Sequence, residues 1–97
     1  MAEAGDAQTI RRHVTYRGRV QGVGFRYTAV HLARGRDVVG WVRNCADGTV
    51  ELEVQGPSGD VQQLLASIRA HFGDQITDEA AAERPVSSGE GGFEIRY

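Results

Sequence analysis

Two short stretches of the chain carry residue types able to hold an anion and an attacking water. The first is Arg19-Val20-Gln21-Gly22-Val23-Gly24-Phe25-Arg26, which reads as a strand exit, a loop with two glycines and the first turn of a helix. A first helical turn leaves backbone N–H groups without intrahelical partners, and the macrodipole adds partial positive charge there. Glycines let the preceding backbone curl so that successive amides converge on one point, which makes a nest for an anion. Arg26 adds a planar fork of donors suited to phosphate oxygens. A phosphate-sized anion is the natural ligand of such a loop, spanning Gln21, Gly22, Val23, Gly24, Phe25 and Arg26. The alternative is a tight strand-to-helix turn with a solvated Arg. GVGFRY is not a dinucleotide fingerprint, because Tyr27 stands where the third Gly belongs.

The second stretch is GWVRNCADGTV, in which Asn44 is the only Asn of the chain. It lies in a strand just before a turn, although strand interiors disfavour Asn. Two readings stand side by side. Asn44 either caps the turn through its side chain, or offers a neutral amide that holds a water by donating and accepting hydrogen bonds. Other reactive types point to little chemistry. The chain has no Lys, which excludes a P-loop lysine, a Schiff base and a Ser-Lys dyad. His13, His31 and His71 fall in three different elements without metal-ligand spacing. Cys45 is single and has no His nearby in sequence, so it reads as a small buried hydrophobe. Trp41 reads as core, and none of Ser58, Ser67, Ser87 or Ser88 sits in a nucleophile elbow.

The elements that must position these residues follow from periodicity. Val14, Tyr16, Gly18 and Val20 alternate with His13, Thr15, Arg17 and Arg19, which predicts a strand with one buried face. Phe25, Ala29, Leu32 and Ala33 recur at helical spacing, and Gly35 ends that helix. VVGWVRNC and TVELEVQG around Ala46-Asp47-Gly48 form a β-hairpin. Ser58 is placed to cap a helix striped by Val61, Leu64, Leu65, Ile68 and Phe72 and stopped at Gly73. ITDEAAAERPV is ambiguous between helix and strand, SSGEGG is a loop, and FEIRY closes as a short strand. The order β-α-β-β-α-(β)-β predicts an α+β split βαβ sandwich, an antiparallel sheet with two helices on one face and a short extra strand at the C-terminus. Residues 1–10 read as a disordered lead-in and 11–97 as one domain. Net charge is −2, but residues 1–48 carry eight Arg against four acids, and residues 49–97 three Arg against nine. An anionic ligand therefore belongs to the N-terminal half.

Taken together, GRVQGVGFR, then GWVRN and DGTVE, then VQGP, with FEIRY at the end, closely resemble the acylphosphatases from Arg12 to Tyr97. The resemblance implies a ferredoxin-like βαββαβ fold and hydrolysis of the carboxyl–phosphate bond of acyl phosphates, without metal or cofactor. It implies that the loop from Gln21 to Arg26 binds phosphate, that Arg26 is catalytic and that Asn44 positions the attacking water. A small-molecule acyl phosphate is then the substrate, and inorganic phosphate or sulfate a competing anion. The single Cys, the absence of a signal-like N-terminus and the lack of a long apolar run suit a cytoplasmic protein, expected to be a monomer. The same element order also serves RNA-binding domains, where Arg17, Arg19 and Arg43 with Tyr16 and Trp41 would form a basic aromatic face. Against specific nucleic-acid binding stand the negative net charge and the lack of a string of interleaved aromatics. A ligand sensor without catalysis is the third reading, opposed by the presence of both Arg26 and Asn44.

Overall fold

The computed structural model describes residues 8–97. Strand β1 spans Thr9–Gly18, helix α1 Phe25–Ala33, strand β2 Val39–Asn44 and strand β3 Val50–Pro57. Helix α2 covers Ser58–Phe72, followed by a 3-10 turn at Gly73–Gln75, strand β4 at Ile76–Arg84 and strand β5 at Phe93–Arg96. The sheet order is β4-β1-β3-β2-β5. Strand β1 begins inside the stretch read from sequence as lead-in, because Thr9 and Ile10 pair with Pro57 and Gly56 of β3. The rest of that stretch, residues 1–7, lies outside the described residues.

Alternation builds the core. Val14 and Tyr16 of β1, Val42 of β2, and Val50, Leu52 and Val54 of β3 turn to one face and are fully buried. Against them pack Phe25, Ala29 and Ala33 of α1 and the stripe Val61, Leu64, Leu65, Ile68 and Phe72 of α2. Ser58 opens α2 as its first residue rather than standing before it as a cap, a place taken by Pro57 with its fixed backbone.

One element settles a choice that the sequence reading left open, and another departs from that reading. The alanine-rich segment is a strand, β4, with Ala82, Ala81 and Ala80 opposite His13, Val14 and Thr15. Alanine favours helix, but the open edge of β1 supplies a ladder that overrides a weak propensity. The sheet is also mixed rather than wholly antiparallel, since β5 runs parallel to β2. With β4 on one edge, residues 85–92 must cross to the other, about 19 Å at four strand spacings and within reach of eight extended residues. The crossing is strapped down by Gln55, whose side-chain amide donates to Ser87 O at 2.8 Å and accepts from Ser87 N at 2.8 Å. Arg11 holds it too, donating to both carboxylate oxygens of Glu90 at 2.7 and 3.1 Å. β5 then runs in the direction of β2 and delivers Tyr97 to the end of the sheet that carries Asn44.

Candidate active site

The loop between β1 and α1 takes its shape from two glycines. Gly22 and Gly24 both have φ of 78°, and a Cβ added at either would meet nothing within 4 Å. Backbone conformation, not lack of space, therefore calls for glycine at both positions. Gly24 stands at the N-terminus of α1, no side chain caps that end, and its first turn contains no acidic residue. The first intrahelical bond runs from Thr28 N to Gly24 O at 2.9 Å, so the amides before Thr28 have no carbonyl of the helix to bond. The loop is pinned from below by Phe25. Its buried ring stacks on Phe72 at 4.4 Å between centroids and lies 4.9 Å from Tyr16. Fixing Phe25 in the core fixes the register of the next residue, Arg26.

Asn44 comes from the opposite side. It faces Val50 in the β2–β3 ladder, and alternation from buried Val42 turns it to the helix-bearing face. The turn that follows is closed without it. Asp47 Oδ1 accepts from Thr49 N at 3.1 Å and from Thr49 Oγ1 at 2.7 Å, while Cys45 N donates to Thr49 O at 2.9 Å. Those hydrogen bonds from Thr49 hold the Asp47 carboxyl below its ordinary value, helped by the charge of Arg17. The capping reading considered for Asn44 thus falls to Asp47.

Val20, Gly22, Gly24, Phe25, Arg26, Tyr27 and Asn44 line one cavity of about 260 Å³. That is room for a small ligand. Two loop residues read as anion-binding do not line it. Val23 turns outward, and the Gln21 side chain reaches into the hairpin, donating to Cys45 O at 2.7 Å and Thr49 O at 2.8 Å. These two residues, and Phe25 with its buried ring, have only backbone N–H groups to offer an anion. Tyr97, which the sequence reading left in a closing strand, stands beside the site. Its ring lies 5.2 Å from the Arg26 guanidinium carbon, and the neighbouring Tyr27 hydroxyl raises its pKa. A cation over an aromatic face is held in orientation without losing its outward donors.

The residues of the supposed RNA face do not all share one surface. Tyr16 is buried in the core, and burial pushes its hydroxyl pKa up. Trp41 is on the opposite face, covered by Arg43 at 5.4 Å and Arg96 at 4.9 Å and edge-on to His13. It is buried as expected, but outside the helix-side core. Cys45 is half-buried and free. Among the described residues, no group of His, Cys, Asp or Glu is arranged to hold a metal ion.

A model of the acylphosphatase family matches residues 12–95. An acylphosphatase of Geobacillus kaustophilus is 47% identical over 90 residues, covering 90% of this chain and 94% of the relative. One from Bifidobacterium longum is 55% identical over 62 residues, which is 64% of each chain. The crystal structure of acylphosphatase from Bacillus subtilis superposes with a TM-score of 0.82 at 34% identity, over 91% of this chain and 99% of that one.

Proposed function

The chain belongs to the acylphosphatase family and has acylphosphatase activity, hydrolysing acyl phosphates, and on that premise we propose that Arg26 and Asn44 carry the reaction within the cavity they share. The phosphoryl group sits on the α1 N-terminus. Its oxygens take hydrogen bonds from the backbone amides of residues 21–26 and from the Arg26 guanidinium. Asn44 holds a water on the far side of phosphorus from the acyl oxygen. The water oxygen bonds to phosphorus as the bond from phosphorus to the carboxyl oxygen breaks, and the carboxylate leaves with the electron pair. An amide is no base, so the water's proton passes to a phosphate oxygen, giving inorganic phosphate.

The leaving carboxylate has a conjugate-acid pKa of ~4, so it departs without a general acid or a metal ion. Positioning and charge stabilisation supply most of the catalysis in phosphoryl transfer, and amides with a fixed guanidinium provide both. The observation that carries this reading is Asn44 itself: it lines the same cavity as Arg26 while Asp47 closes the turn.

The test contrasts two variants on acetyl phosphate in the presence of EDTA. Arg26→Ala should lose both turnover and inhibition by inorganic phosphate. Asn44→Ala should lower kcat by about 10²–10³, the usual cost of one preorganised donor, and leave phosphate inhibition nearly unchanged. A folded Asn44→Ala protein with normal kcat would remove the water-positioning role, and activity abolished by EDTA and restored by a divalent ion would overturn the metal-free reaction. Phosphate and sulfate compete for the same cradle in this reading. The catalytic unit is the single sheet-and-helix domain that opens with β1 at Thr9, working as a cytoplasmic monomer. Among the described residues, no helix is long and apolar enough to cross a membrane.

A further inference from the structure

We propose that Gln21 is a positioning residue for the hydrolysis, an amide clamp that sets Asn44 at its working distance from the phosphate cradle. Both Nε2 hydrogens are committed, one to Cys45 O at 2.7 Å and one to Thr49 O at 2.8 Å. These carbonyls flank the turn of the β2–β3 hairpin, and Cys45 directly follows Asn44. Gln21 itself directly precedes Gly22, the first glycine of the anion loop. One side chain therefore ties the element that holds the phosphoryl group to the element that holds the water.

The hairpin does not need this clamp in order to form. Its turn is closed by Cys45 N to Thr49 O, by Gly48 N to Cys45 O at 3.2 Å and by the Asp47–Thr49 pair. The loop does not need it either, since Phe25 anchors the start of α1 in the core. What the Gln21 bonds add is the relation between the two. Thr49 O accepts from Cys45 N within the turn and from Gln21 across it, so a shift of the loop is passed directly to the strand end that carries Asn44. In-line attack is steeply sensitive to such a shift, since a misplacement of about 1 Å can cost ~10²-fold in rate.

The inference rests on the water-holding role given to Asn44, and its test separates the two. Gln21→Met keeps length and linearity but has no donor, and Gln21→Asn keeps donors but is one methylene short. Each is checked for a native near-UV circular dichroism spectrum and assayed well below its Tm. Either folded variant should show kcat on acetyl phosphate reduced by about tenfold to a hundredfold, with the inhibition constant for inorganic phosphate within about twofold of the parent. In an Asn44→Ala background the same substitutions should lower kcat no further, because the water they would misplace is no longer held. Unchanged kcat in the folded Gln21 variants overturns the clamp while leaving the Asn44 reading intact. So does a loss that multiplies with that of Asn44→Ala. Phosphate inhibition weakened in step with kcat would instead put the Gln21 side chain's effect in the cradle. An Asn44→Ala protein with normal kcat overturns the Asn44 reading and the clamp with it.

Discussion

Arg26 presents a planar guanidinium whose carbon lies 5.2 Å from the centre of the Tyr97 ring, and its fork of N–H donors matches phosphate oxygens. A lysine ammonium at this position would keep the charge and lose the two-pronged edge. Arg26→Lys is therefore expected to recover little of the kcat lost in Arg26→Ala, and steady-state kinetics on acetyl phosphate would decide it. A lysine variant within tenfold of the parent would make Arg26 a simple point charge. The residues that meet in the cavity are legible in the sequence, Arg26 behind a glycine loop and Asn44 as an unusual residue for a strand, while their roles enter only with the family resemblance. The division of labour around the cavity is not legible there. Asn44 and Asp47 are both able to cap a turn, and only the ladder pairing of Asn44 with Val50 and the contacts of Asp47 with Thr49 separate them. Gln21 is visible as a loop member but not as a clamp, since its partners lie 24 and 28 residues further along the chain.

Among the elements, the loop entering α1 depends on two glycines in the left-handed region, Gly22 and Gly24. At Gly24 the φ of 78° costs an ordinary L-residue ~1–2 kcal/mol, while the open space around it adds no steric term. Gly24→Ala should therefore lower Tm by about 5–15 °C for a domain of this size and weaken inhibition by phosphate as the amides turn away. Gly24→Asn should lose less stability, because Asn enters the left-handed region more readily. Thermal melts read beside phosphate inhibition constants check both, and equal stability across Gly, Asn and Ala would show that the loop relaxes freely. Helices and hairpin alike are readable from spacing, because their apolar residues meet one core. β4 is not, since its alanines carry no face of their own and take strand geometry from β1. The parallel course of β5 is equally hidden. It depends on where residues 85–92 are fastened, by Gln55 and Arg11 far back in the chain.

At the scale of the whole molecule, the sheet separates two kinds of chemistry. One face buries the core and, at its end, holds the cavity; the other carries paired charges. On that open face Arg11 is bound by Glu53 and Glu90, Arg43 by Glu51, and His13 lies between Glu51 and Glu53 at 3.3 and 2.7 Å. With Arg11 and Arg43 paired in this way and a net charge of −2, fluorescence anisotropy with a single-stranded RNA should detect no binding at physiological salt. The same pairing sets a dependence on pH. Burial by itself would raise the Glu53 carboxyl, but hydrogen bonds from His13 and Arg11 outweigh it and hold the group below its ordinary value of 4.5. A carboxyl depressed by folding contributes stability that is fully present above about pH 4.5 and lost as pH falls through its lower folded-state value. Because Glu53 joins β3 to the Arg11 that also fastens the 85–92 crossing, that loss should appear in global unfolding rather than in one frayed strand. Glu53→Gln removes the titration while leaving Arg11 its Glu90 partner. The variant should start with a lower Tm at pH 7 and lose less of it than the parent between pH 5 and pH 3. Thermal melts across that range test the assignment, and parallel curves for the two proteins would place the acid sensitivity in other carboxylates.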